Sequence, residues 1–257
     1  MRLRFAALAA ASLSCLVAAD ALAEECRAPT VTFQAPALLT GLGRAEAMRP
    51  LRIVAVGSSS TQGVGASGPS RTYPAQLALA LADRLPGTTV EVLNKGIGGE
   101  VVADNLRRLD RDVLQQKPDL VIWQVGTNDA LRGLPLDQVQ AQLLDGIGQI
   151  KEQGAALLLM DPQPVPRAED EQAIAAMSGM IAKVAKATGT PLFSRHERML
   201  GWISGGTLAV STIYSKDGLH MTDASYRCLA LDVADMLVPA GEAVATAAAV
   251  VPATVTP

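Results

Sequence analysis

Aromatic residues make up only 3% of the 257 residues, and the chain holds just three cysteines and two histidines. Each scarcity excludes something. Three cysteines cannot build a disulfide-dense scaffold or a four-cysteine zinc cluster. The two histidines, His196 and His220, leave little material for a histidine-based metal site, so no metal or cofactor is expected. A net charge of −3 and a pI near 5.5 lack the basic excess of a phosphate-binding surface, which argues against a nucleic-acid partner. The shortage of aromatic rings also argues against an extended sugar-stacking cleft. What is abundant is apolar: 49% of residues are hydrophobic and 18% charged. That is too apolar for a disordered chain and sufficient for one well-filled core.

The two ends read differently from the middle. Met1–Ala23 has a basic start at Arg2 and Arg4, an apolar stretch Phe5–Ala19, and the small-residue site Ala21-Leu22-Ala23. This is the pattern of a secretory signal peptide, and it predicts export to a periplasm or beyond. The apolar stretch is shorter than the roughly 20 residues a membrane span needs, so stable membrane insertion is not expected. A lipoprotein site at Cys15 is disfavoured by Ser12, where a bulky aliphatic residue is usual. Residues 24–50 are a lead-in, 51–237 the folded domain, and 238–257 a tail of Ala, Val, Thr and Pro expected to be flexible.

Within the domain, short aliphatic runs alternate with helical faces. Strands are predicted over 51–56, 89–93, 120–125, 155–160 and 191–193. Helical faces recur in Tyr73–Leu85, at Val102, Leu106, Leu109 and Val113, and at Val139, Leu143, Ile147 and Ile150. Two more lie at Ile174, Met177, Ile181 and Val184, and at Tyr226, Leu229, Val233 and Met236. Five apolar strands separated by amphipathic helices predict a parallel sheet covered on both faces. A ligand site on such a sheet lies beyond the carboxyl ends of its strands.

Four loops carry reactive residues: Gly57-Ser58-Ser59-Ser60-Thr61-Gln62-Gly63, Asn94-Lys95-Gly96-Ile97-Gly98-Gly99, Gly126-Thr127-Asn128-Asp129 and Asp217-Gly218-Leu219-His220. The first three follow strands directly and so share one edge of the sheet. Together they offer a hydroxyl nucleophile, an imidazole base, a carboxylate to orient it, and oxyanion donors. The stretch Gly63-Val64-Gly65-Ala66-Ser67-Gly68 matches a dinucleotide fingerprint, but it begins seven residues after the strand ends and is followed by Pro69 and Pro74. That fingerprint requires its glycines at the strand-to-helix turn. No Walker-type Gly-Lys-Ser/Thr follows a strand, and no Gly-x-Ser-x-Gly elbow sits at a strand-to-helix turn.

In these four blocks the chain resembles the SGNH hydrolases, also called the GDSL esterase/lipase family. Gly57, Ser59, Thr61 and Gly63 match the first block, and Gly99 the second. Gly126, Asn128 and Asp129 match the third, and Asp217 and His220 the Asp-x-x-His block. The match spans about residues 51–237. It implies a three-layer α/β/α sandwich with a mostly parallel five-stranded sheet, of the flavodoxin-like kind. It implies Ser59 as nucleophile, His220 as base and Asp217 as its orienting carboxylate. The N–H groups of Ser59 and Gly99 and the amide of Asn128 would form the oxyanion hole. The chain departs from the pattern at Ser58, where the family has aspartate, and at Ser60, where it has Leu or Ile. Spacing within the block selects Ser59 among the three serines.

Other residues have plainer expectations. His196 reads as a solvated side chain, Gly96 and Gly98 as turn formers, Asp129 as a structural group, and Trp123 as core. The function expected is an exported serine esterase acting on short acyl esters, O-acetyl esters among them, of a small molecule or glycan. The alternatives are an inactive binding protein on the same fold and a lysophospholipase- or thioesterase-type lipid hydrolase. Cys26 and Cys228 would remain after leader cleavage. They either pair in an oxidising compartment or stay as an exposed and a buried thiol.

Overall fold

Successive residues of β1 (Leu51–Gly57) point to opposite sides of the sheet, and both sides are apolar. Ile53 and Ala55 enter one core, while Val54 and Val56 enter the other. The same alternation divides Leu120 and Ile122 from Val121 and Trp123 in β3 (Leu120–Gln124), and Leu158 and Met160 from Leu157 and Leu159 in β4 (Ala156–Met160). A strand buried on both faces must be covered by helices on both faces, which is the three-layer arrangement observed. The computed structural model describes Cys26 and residues 49–238. The predicted leader, most of the lead-in and the tail beyond Val238 lie outside these residues.

With β2 (Val90–Gly96) and β5 (Leu192–Phe193), the strands form one five-stranded sheet in the order β2-β1-β3-β4-β5. Every adjacent pair is parallel. One core lies under α2 (Tyr73–Arg84) and α10 (Asp223–Leu237), with Leu77, Leu81, Tyr226, Leu229 and Val233 at its centre. The other lies under α6 (Leu136–Glu152) and α7 (Ala168–Thr188), through Leu143, Ile147, Ile174 and Ile181. The chain order reverses between β1 and β3. The crevice at their carboxyl ends is therefore the expected binding position of a sheet of this order.

Three local expectations needed correction. The face Val102–Val113 is not one helix but two short ones, α3 (Val102–Arg107) and α4 (Leu109–Asp112). Arg108 interrupts them because its buried guanidinium turns inward to Glu100 and to the carbonyl of Gly57 (3.3 Å). The second strand runs on through Gly96, because Gly57 and Gly96 remain paired and the N–H of Ile97 still reaches the Gly57 carbonyl (3.0 Å). A helix α8 (Arg195–Ser204), absent from the sequence reading, packs Met199 and Trp202 into the first core.

Cys26 and Cys228 are joined in a disulfide with their Cα atoms 5.0 Å apart, which ties the lead-in to α10 across 202 residues of chain. Closing so long a loop restricts the unfolded chain by up to about 5 kcal/mol in the chain-entropy account. Under denaturing conditions without reductant, Cys26 and Cys228 are expected to resist alkylation. Reduction should lower stability by about 2–5 kcal/mol in denaturant titration. A second prediction concerns Gly146 in α6, where an added Cβ would lie 2.3 Å from the ring of the buried Trp123. Alanine at this position should destabilise by about 1–2 kcal/mol in urea unfolding, because overpacking outweighs the helix-propensity gain of about 1 kcal/mol.

Candidate active site

The end of β1 sets the geometry of the first loop. Gly57 has φ +157°, and a Cβ there would lie 2.6 Å from Thr61 Oγ1 and 2.7 Å from Gln124 Oε1. The chain then turns directly into α1 (Ser59–Gln62), with Ser59 at its first position. A residue at that position has no carbonyl one turn back, so its N–H is left without an intrahelical acceptor. Ser58 and Ser60 are buried at 4% and 1% exposure, and only Ser59 of the three opens towards solvent.

The acceptor that organises this turn comes from β3. Gln124 Oε1 accepts from the Ser58 N–H (2.9 Å), from Ser58 Oγ (3.1 Å) and from Thr61 Oγ1 (3.3 Å). Ser58 thus acts as a donor where the resembled motif has a carboxylate, and the amide of Gln124 supplies the acceptor. Gln124 was missed in the sequence. Its signal was a polar residue closing an otherwise apolar strand.

The imidazole arrives on a small hairpin before α10. Tyr214 and Met221 bridge, and the N–H of Ser215 donates to the carbonyl of His220 (2.7 Å). At its tip Asp217 Oδ1 accepts from the N–H groups of Leu219 and His220, each at 2.9 Å, and from Ser215 Oγ at 2.8 Å. Its other oxygen lies 2.6 Å from His220 Nδ1, and His220 Nε2 lies 2.8 Å from Ser59 Oγ. A carboxylate can only accept, so the proton sits on Nδ1 and Nε2 accepts from the serine hydroxyl. Desolvation raises the Asp217 carboxyl, but the hydrogen bonds from His220, Leu219 and Ser215 outweigh it and hold the group well below the usual carboxylate range. Asp217 therefore stays ionised through mild acid. Any loss of the negative partner occurs only as pH falls through that lowered value.

The glycines after α1 make room for this hairpin. Gly65 has φ +93°, and a Cβ there would meet the Met221 carbonyl at 2.4 Å and His220 Cβ at 3.1 Å. Tyr226 donates its hydroxyl to the Val64 carbonyl (2.7 Å), and Ser67 donates its N–H (2.7 Å) and Oγ (2.5 Å) to Asp223. The run Gly63–Gly68 thus backs the histidine loop.

The second and third loops supply donors. The N–H of Gly96 goes to Asn94 Oδ1 (2.9 Å), and that of Gly98 to Gln62 Oε1 (2.8 Å). The first bond is local to the loop, and the second ties the loop to α1. Gly99, at φ +80°, keeps an N–H with no acceptor among the described residues. Arg132 Nη2 grips its carbonyl at 2.6 Å. Asn128 donates one amide hydrogen to the Glu100 carbonyl (2.8 Å), and the same nitrogen carries a second. Asp129 is buried and accepts from the N–H of Val102 (3.1 Å), fixing this loop to the start of α3. Burial pushes its carboxyl up, against those hydrogen bonds. Trp123 is fully buried and donates to Asn105 Oδ1 (2.9 Å).

His196 is not solvated. It is 9% exposed, donates its N–H to Asp161 Oδ1 (3.1 Å) and sets Nε2 2.5 Å from Glu171 Oε1. The unread helix α8 explains this, because its first turn docks His196 between the end of β4 and α7. The structure thus brings Ser59, His220 and Asp217 into one hydrogen-bonded relay beside the first, second and third loops. Such a relay can raise the nucleophilicity of one hydroxyl and receive its proton.

Comparison with known proteins places the chain among lipase- and esterase-like sequences. The sequence profile of the non-GDSL lipase-like family matches residues 25–243. An arylesterase of Vibrio mimicus is 34% identical over 96 residues, covering 37% of this chain and 47% of that protein. Esterase TesA of Pseudomonas aeruginosa is 29% identical over 170 residues, covering 65% of this chain and 78% of that protein. A solved structure of TesA superposes with a TM-score of 0.62, over 73% of this chain and 98% of that chain at 29% identity. An acetylxylan esterase of Geobacillus stearothermophilus is 33% identical over 117 residues, 41% of this chain and 53% of that protein. The structure of Axe2, an acetylxylan esterase from the same organism, has a TM-score of 0.59 at 22% identity, over 72% of this chain and 93% of that chain, and so shares the fold. The chain spans about half the length of the arylesterase and of the acetylxylan esterase.

The geometry predicts which serine reacts. A fluorophosphonate probe should label the protein at Ser59, and Ser59→Ala should abolish labelling while leaving the circular dichroism unchanged. Ser60→Ala should still label. Labelling that survives Ser59→Ala and disappears in Ser58→Ala or Ser60→Ala would overturn this assignment.

Proposed function

Because the chain belongs to the non-GDSL lipase-like family, we propose that it is a serine hydrolase that cleaves carboxylic ester bonds through Ser59, His220 and Asp217. The observation that carries this proposal is the continuous relay from Asp217 through His220 to Ser59, at 2.6 and 2.8 Å. Ser59 Oγ attacks the carbonyl carbon as its proton passes to His220 Nε2. The charge that develops on the carbonyl oxygen faces the N–H groups of Ser59 and Gly99 and the second amide hydrogen of Asn128. Collapse of the tetrahedral intermediate breaks the bond to the alcohol, which leaves with the proton from His220. Water then repeats the sequence on the acyl-serine, releasing the acid and restoring the serine. Asp217 stays ionised throughout, holding the imidazole tautomer and stabilising its protonated form.

The site is further proposed to work outside the cytoplasm, on a short acyl ester of a small molecule or glycan. The disulfide between Cys26 and Cys228 supports an oxidising compartment, in keeping with the leader proposed at residues 1–23. Similarity to a protein named acetylxylan esterase supports a short acyl group.

A panel of aryl esters of increasing acyl length, together with acetylated xylo-oligosaccharides, tests the substrate. The expected kcat/KM is highest for acetyl to butyl chains. A rate that climbs steadily towards long chains would instead assign lipid hydrolysis. Asn128→Ala should lower kcat by about 10²–10³-fold through loss of one oxyanion donor, with KM little changed. A pure KM effect would assign Asn128 to ground-state binding.

A further inference from the structure

Gln163 is only 1% exposed, in the segment that follows β4, and no step of ester cleavage uses it. Its side chain nevertheless reaches three separate loops. Oε1 accepts from Ser60 Oγ (3.5 Å) and from Thr127 Oγ1 (3.3 Å), while Nε2 donates to the carbonyl of Leu219 (3.3 Å). Each partner is the direct chain neighbour of a group in the site. Ser60 follows Ser59, Thr127 precedes Asn128, and Leu219 precedes His220.

The orientation of this amide is set by its partners. A backbone carbonyl can only accept, so the nitrogen must face Leu219 and the oxygen must face the two hydroxyls. The Thr127 hydroxyl lies within reach of two donors, Gln124 Nε2 (3.5 Å) and Arg195 Nη2 (3.4 Å), which leaves its own proton for Gln163. A polar chain therefore runs from Gln124, which organises the nucleophile turn, through Thr127 to Gln163 and on to the histidine hairpin. Pro162 and Pro164 flank Gln163 and restrict its backbone, and Tyr214 of the hairpin donates its hydroxyl to the Pro164 carbonyl (2.9 Å).

We propose that Gln163 is a positioning residue, whose planar amide fixes the spacing between nucleophile, oxyanion donor and base. The proposal rests on the ester-hydrolase reading above. Each of its hydrogen bonds is long, so the expected consequence of losing them is misalignment of the relay more than loss of the fold. Small displacements of reacting groups cost rate steeply and leave ground-state binding largely intact.

Gln163→Met keeps the length of the side chain and removes all three contacts. The expected result is a fall in kcat of about 10–100-fold, KM within about threefold, and a parallel slowing of fluorophosphonate labelling. The thermal midpoint should stay close to wild type. Gln163→Glu keeps the two acceptor contacts, but as a carboxylate it confronts the Leu219 carbonyl and can donate to it only when protonated. Its activity relative to wild type is therefore expected to rise as pH falls, a signature that a packing role would not give. Either of two results overturns the proposal: kcat of Gln163→Met within twofold of wild type, or a loss that follows the folded fraction with no pH-dependent recovery in Gln163→Glu. If wild type neither hydrolyses esters nor takes the probe, the ester-hydrolase reading falls and this proposal with it. If wild type reacts and the Gln163 variants match it, only the positioning role falls.

Discussion

The hydrogen bond between Ser59 and His220 joins residues 161 positions apart, and most of the unusual local geometry serves to keep that distance short. One partner sits on a strand-to-helix turn at the centre of the sheet, the other on a hairpin that precedes the last helix. The nucleophile turn is held from β3 by Gln124, and the hairpin by internal bonds to Asp217 and by the backbone packed behind it.

Two glycines show how tightly this is arranged. At Gly57 a side chain would displace Gln124 from the turn it organises, and at Gly65 it would push the histidine hairpin away from the serine. Both positions also have positive φ, so the backbone itself favours glycine there. The site's dependence on close backbone approach explains why the glycine run Gly63–Gly68 imitates a dinucleotide fingerprint without the matching placement. Of its glycines, Gly65 lies against the Met221 carbonyl and Gly63 against the side chain of Thr72.

Substituting Ser58 for the aspartate of the resembled motif reverses the direction of the hydrogen bonds at this turn. An acidic residue would accept from its surroundings. Here the serine donates, and a neutral amide on the neighbouring strand accepts. The buried turn is thereby satisfied without a carboxylate beneath the nucleophile, which avoids the desolvation cost of burying a charge there. Asp217 remains the one carboxylate bonded to the imidazole of His220.

Much of this protein was legible along the chain because the relevant forces are local or periodic. The aliphatic runs buried on both faces marked the three central strands, and the helical repeats at Leu143–Ile150 and Ile174–Val184 marked the helices over one face of the sheet. Four short blocks in order marked the residues that the fold gathers at one edge. What depended on tertiary structure was everything decided by a distant neighbour. Arg108 broke an apparently continuous helix by turning towards Glu100, and His196 was buried by a short helix whose inward side carries Arg195 and Arg198 beside Met199 and Trp202, polar residues that do not read as core. The partnership of Cys26 with Cys228 required their Cα atoms to meet across 202 residues. Gln124 and Gln163 gained their positions only through partners on other loops. A lone polar residue at a strand end has no periodicity and no fixed spacing to its partners, so its place in the site exists only once the chain has folded.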